Sequence, residues 1–98
     1  MNYKIVIRKE AQEDIEEAVV WYKEQKDGLE VAFWDSFKDA ILLIQQPPLR
    51  HKEVKENFRK ISLHVFPYNI YYRISRKNII VLAVVHQKRH PDIWKKRK

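Results

Sequence analysis

The spacing of apolar and polar residues changes period twice along the chain. In "YKIVIR" (3–8), Tyr3, Ile5 and Ile7 share one face and Val6 takes the other, a two-residue period rich in β-branched side chains that predicts a short strand. From Ala11 the spacing lengthens. Ala11, Ile15, Ala18, Val19 and Tyr22 recur at steps of three and four, with Glu13, Asp14, Glu16, Glu17 and Glu24 filling the remainder. That pattern is an amphipathic helix whose acidic residues crowd the first turns, where the helix dipole favours them. Gly28, the single glycine, is the expected stop, since a left-handed cap suits a residue without a Cβ. A second helix starts at once: Leu29, Ala32, Phe33, Phe37, Ala40, Ile41 and Ile44 draw its stripe, and Pro47-Pro48 ends it. A very short turn joins the two into a helical hairpin. Trp21 and Trp34 fall beside the stripes and read as core-edge residues.

After the hairpin the period returns to two. "LRHKEVKEN" (49–57) is polar and charged and reads as a loop. "FRKISL" (58–63) alternates, "HVFP" turns at Pro67, "YNIYYRIS" (68–75) alternates again, and "SRKN" (75–78) is a polar hairpin turn. "IIVLAVVH" (79–86) is apolar on both faces, the mark of a central, covered strand. The expected order is β-α-α-β-β-β. This is an α+β fold in which the helical hairpin packs on one side of a small, mainly antiparallel sheet. A chain of 98 residues sustains one core, burying roughly 60–65% of its unfolded surface. Residues 1–98 are therefore expected to form one domain, with a basic tail from about residue 87.

Charge changes the picture more than composition does. Residues 1–49 carry six Lys/Arg against ten Asp/Glu, and residues 50–98 carry fourteen against three, giving −4 and +11 within a net +7. So segregated a charge favours an anionic partner surface over simple solvation. With no cysteine, neither a disulfide nor a thiolate metal site is available, and a reducing compartment is compatible. The short apolar stretch near the N-terminus does not reach the length of a signal peptide's apolar region, and no run approaches a membrane span. A cytoplasmic protein with no membrane contact is expected.

Several machineries are excluded. One glycine leaves no Gly-rich loop for phosphates. His51, His64, His86 and His90 lack the helical pairing of a metalloprotease and no carboxylate pair completes a metal set, so no metal or cofactor is expected. The "EDIEE" carboxylates read as a solvated helix face. What remains is cationic. Arg59 and Lys60 lie on the second predicted strand, Arg73 on the third, and His86 closes the fourth with Lys88 and Arg89 beyond it. Arginine and lysine grip phosphates, and histidine exchanges a proton near neutral pH. Those groups serve metal-free RNA cleavage, in which the 2′-hydroxyl attacks, a base takes its proton and cations neutralise the phosphorane. They serve a pure binding patch equally well. Arg59, Lys60, Arg73, Lys88, Arg89, Trp94, Lys95 and Arg97 are the expected target-binding set, gathered along one rim of the C-terminal strands and the residues after them. Trp94, which follows Pro91, either folds back onto the core as an anchor, the reading favoured from the residues alone, or offers a partner a hot spot.

The opening strand, "WYKEQKDGL", "AFWDSF", "QQPP", "FPYNIYYRI" and "VLAVVHQKRHPDIWKKR" together resemble the RelE/ParE superfamily of toxins from bacterial type II toxin–antitoxin (plasmid stabilisation) systems. The likeness runs over nearly the whole chain, in order. It implies a growth inhibitor neutralised by a cognate antitoxin, an acidic protein held on the helical hairpin and sheet edge in a hetero-oligomer. RelE-like members cut messenger RNA on the ribosome, and ParE-like members poison DNA gyrase. The nucleases carry an arginine early in the third strand and a tyrosine or histidine near the C-terminus. Here Asn69 and Trp94 occupy those places, and an indole is neither acid nor base. His86 and Arg89 match the ParE-like ending better, and the resemblance leans to a gyrase-directed toxin that acts by binding. The alternatives are a ribosome-dependent endoribonuclease, with His86 and Arg89 catalytic and Arg59 a phosphate clamp, and an inactive homologue that binds only its antitoxin.

Overall fold

The apolar run Asn78–His86 forms a strand with a neighbour on each side. In a computed structural model that describes residues 3–46, 53–55 and 57–88, it is the fifth strand of a five-stranded sheet. The elements are β1 (Lys4–Ile7), α1 (Lys9–Gln25), α2 (Leu29–Ile44), β2 (Glu53–Lys55), β3 (Phe58–Ser62), β4 (Tyr68–Ser75) and β5 (Asn78–His86). The spatial order is β1-β5-β4-β3-β2. β1 lies parallel to β5 and every other pair is antiparallel, so two helices packed on a mixed sheet give the α+β class that the periods predict.

One expected loop holds a strand. Within residues 49–57, Glu53 pairs with Arg59 and Lys55 with Phe58 to make the edge strand β2. Three residues are too few to display a period of two, so the pattern could not reveal it. Its turn relies on Asn57, at φ +62, whose backbone N–H donates to the Glu53 carboxylate at 2.6 Å and whose side-chain amide donates to the Ile74 carbonyl at 2.8 Å. Asparagine tolerates that left-handed backbone better than most residues.

The core lies between helices and sheet. α1 contributes Ala11, Ile15, Ala18 and Tyr22, α2 contributes Phe33, Phe37, Ala40 and Ile44, and the strands contribute Ile70, Tyr72, Ile79, Val81 and Val84. Full burial of a side chain the size of Phe33 or Phe37 contributes about 1.5–3 kcal/mol. Tyr22, Phe33, Phe66 and Tyr68 form one aromatic cluster with centroids 5.0–6.1 Å apart. A smaller group of Tyr71, Ala83 and Val85, with Val54 and Phe58 against it, occupies the face away from the helices.

A bulge decides which residues face which way. Tyr71 pairs with Ala83 and Tyr72 with Val81, leaving Leu82 as one extra residue on β5. One inserted residue reverses the alternation that follows it. Ile79 and Val81 therefore face the helices before the bulge, and Val84 and His86 after it. Gly28 takes the left-handed backbone expected of it (φ +93), but at the head of α2, while α1 closes one turn earlier against an extended Lys26. Its amide donates to Glu30 Oε1 at 2.9 Å, which satisfies one open donor of the helix start.

Candidate functional site

Residues paired across strands share a face, so the register sorts the predicted cations without ambiguity. Arg59 stands opposite Tyr72 and beside the pair of partly buried Ile61 and buried Ile70, on the helix side of the sheet. Lys60, its chain neighbour, stands opposite Tyr71 on the other face, and Arg73 stands opposite Phe58 on that same face. Lys60 and Arg73 are diagonal neighbours, a relationship that sets residues about 7–8 Å apart. Both are half-buried at the rim of the Tyr71–Phe58 cluster, and among the described residues neither forms an ion pair. A cationic pair beside two aromatic rings suits contact with phosphate or carboxylate groups.

The expectation of a single cationic rim is therefore corrected. Arg59 is largely buried, with 15% of its side chain exposed, and its guanidinium lies 3.7 Å from the Glu53 carboxylate. Its work is to hold β2 against β3 over Tyr72. The same guanidinium pulls the Tyr72 hydroxyl down, but burial is the stronger effect and pushes it up to about 12. Lys88 is exposed beyond the far end of β5, well away from Lys60 and Arg73. Arg89, Trp94, Lys95 and Arg97 lie outside the described residues.

His86 belongs to a different place. It pairs with Tyr68, their rings edge to face at 5.1 Å and 75°, on the helix side of the sheet. Tyr68 and Tyr72 are four residues apart on β4. His86 and Arg59 are thus separated by about 13 Å along the strands and two strand spacings, about 10 Å, across them. At that separation, and with its guanidinium on Glu53, Arg59 does not share a cluster with His86. His86 Nδ1 accepts a hydrogen bond from the Lys88 backbone N–H at 3.0 Å, so a neutral ring carries its proton on Nε2.

Around His86 is a notch of about 160 Å³ between α1 and the sheet, lined by Asp14, Glu17, Ala18, Trp21, Tyr68, Val84 and His86. Asp14 does not sit on a solvated face as the acidic run suggests. Its Oδ2 accepts a hydrogen bond from the Val84 backbone N–H at 3.0 Å and ties α1 to β5. The signal for this was present: Asp14 comes three residues after Ala11 and four before Ala18, on the apolar stripe itself. Trp21 is 53% exposed and meets Tyr22 edge-on at 5.1 Å. Burial, and then the neighbouring Tyr68, raise the Tyr22 hydroxyl above its ordinary value. Among the described residues, no three His, Asp or Glu side chains are grouped to hold a metal ion, and no helix is long and apolar enough to cross a membrane.

The family described as "ParE toxin of type II toxin-antitoxin system, parDE" has a sequence model that matches residues 5–91. Among solved structures, the chain is similar to one titled "Chromosomal ParDE TA system from P. aeruginosa", with a TM-score of 0.75 and 14% sequence identity over 86% of this chain and 95% of that one. At that identity the likeness speaks to the fold, two helices on a five-stranded mixed sheet. No curated protein matches the chain.

Proposed function

Because this chain belongs to the ParE family of toxins from type II toxin–antitoxin systems, we propose that it inhibits growth by binding DNA gyrase in the cytoplasm and that a cognate acidic antitoxin neutralises it in a hetero-oligomer. The observation that carries this reading is the family match over residues 5–91. A net charge of +7 favours an acidic antitoxin and speeds its encounter with the toxin. The half-exposed Val20, Trp21, Val31, Leu42 and Leu43 on the helical hairpin offer it apolar contact. Lys60 and Arg73, with Lys88 and the predicted Arg89, Trp94, Lys95 and Arg97, are the residues we assign to the target.

Binding is favoured over cleavage by the separation of the charged groups. A nuclease needs its proton-transfer group and its phosphate clamps on one reacting phosphate. His86 is on the helix side of the sheet, Lys60 and Arg73 are on the other, and Arg59 is engaged with Glu53. Expression of the chain without its antitoxin tests the reading. The expected response is growth arrest with filamentation and an SOS response while messages stay intact. Cuts at codon positions in mRNA would make it a ribosome-dependent nuclease, and unimpaired growth would make it an inactive, antitoxin-binding homologue.

A further inference from the structure

We propose that the notch between α1 and the end of β5 receives one arginine side chain from the neutralising partner. The partner's identity as an antitoxin rests on the reading above; the chemistry of the notch does not. Its volume of about 160 Å³ is close to that of a cavity, about 150 Å³, that accepts benzene, enough for a planar guanidinium and part of its stem. Its walls supply what that group needs. Asp14 and Glu17 bring carboxylates from successive turns of α1, and Trp21 and Tyr68 bring aromatic rings. A guanidinium stacks on such rings and donates in its own plane to carboxylate oxygens, a combination an ammonium cannot match.

Two further observations point to a cationic occupant. Residues 9–25 carry six Asp/Glu against two Lys/Arg, so α1 is an anionic face on a chain of net +7. An arginine is attracted here, whereas the rest of the protein attracts acidic chain. Among the described residues, Glu17 has no ion-pair partner although it lines the cavity. The notch is also held in shape. Asp14 is fixed by the Val84 amide, and His86 by the Lys88 amide and the Tyr68 ring. Such preorganisation reduces the entropy lost on binding. His86 then has a role apart from acid–base chemistry, as the imidazole wall opposite the carboxylates.

The test uses the full chain and three small probes: the N-acetyl methylamides of arginine, citrulline and lysine. Titration is followed by the NMR shifts of the Trp21 indole N–H and the Val84 amide. The arginine probe should shift both saturably, with a dissociation constant of about a millimolar for a ligand this small. Citrulline, planar but uncharged, and lysine, charged but not planar, should bind at least severalfold more weakly. Glu17→Gln should weaken the arginine probe about tenfold, the loss of one charge-assisted contact. Trp21→Ala, read at the Val84 amide, should weaken it severalfold, and a half-exposed residue can be truncated without unfolding the chain. Equal binding of citrulline or lysine would overturn the proposal, as would arginine binding unchanged in both variants. No cells or gyrase enter this test, so its failure leaves the toxin reading standing, and failure of the expression experiment leaves the notch standing.

Discussion

Arg59 and Lys60, adjacent in the chain, project from opposite faces of the sheet, the first opposite Tyr72 and the second opposite Tyr71. The two cations therefore do different work. Arg59 is built into the β2–β3 edge through Glu53, and Lys60 joins Arg73 on the face away from the helices. Paired substitutions separate these roles. Lys60→Ala with Arg73→Ala should weaken toxicity at least tenfold with a stability change of no more than about 0.5 kcal/mol for each residue. Arg59→Ala should cost about 1 kcal/mol through lost packing and pairing, lowering Tm by about 4–8 °C, with little effect on toxicity once expression is matched. Thermal melts beside a growth assay distinguish the two patterns.

His86 carries a second prediction. On the binding reading it is part of the notch and contributes to fit, with no role as a base. His86→Ala should reduce toxicity less than tenfold, whereas removal of a general base costs about 10²–10⁴ in rate. Dose-controlled expression of the variant, with growth rate as the readout, decides between them.

Asp14 ties α1 to the end of β5 through the Val84 amide. Asp14→Ala leaves that amide without its acceptor, which should cost about 1.5–3 kcal/mol as a hydrogen bond to a charged group. Asp14→Asn keeps an acceptor oxygen and should recover part of the loss. Chemical denaturation reports both as a shifted midpoint at constant m.

Tyr72 should make the fold less stable in alkaline solution. Its hydroxyl is raised to about 12 from an ordinary value near 10. The folded state thus holds a proton that the unfolded state has already released. The stability is fully present below about pH 10 and is lost as pH rises from 10 through 12, by about 2–3 kcal/mol. Tyr72→Phe should flatten that loss. In a spectrophotometric titration of the five tyrosines, Tyr72 should ionise late, together with the unfolding transition.

These relationships also mark what the sequence discloses. Both helices, the alternating strands and the central placing of β5 follow from periodicity, because each is long enough to repeat its pattern. β2 is too short to do so. The single cationic rim failed for another reason: alternation puts Arg59 and Lys60 on different faces, but only pairing with β4 fixes which face each takes. The bulge at Leu82 is equally silent, since a run apolar on both faces hides the change of phase that sends His86 to the helix side. Asp14 was legible as an acid on an apolar stripe. Its partner, a backbone amide 70 residues away, was not.

The most direct test is a supercoiling assay in which the purified chain is added to DNA gyrase and plasmid. The gyrase assignment requires inhibition with accumulation of cleaved plasmid, full activity when the antitoxin is added first, and a weaker effect from the Lys60→Ala, Arg73→Ala variant. Unimpaired supercoiling at concentrations of the chain that cut messenger RNA on ribosomes would contradict it.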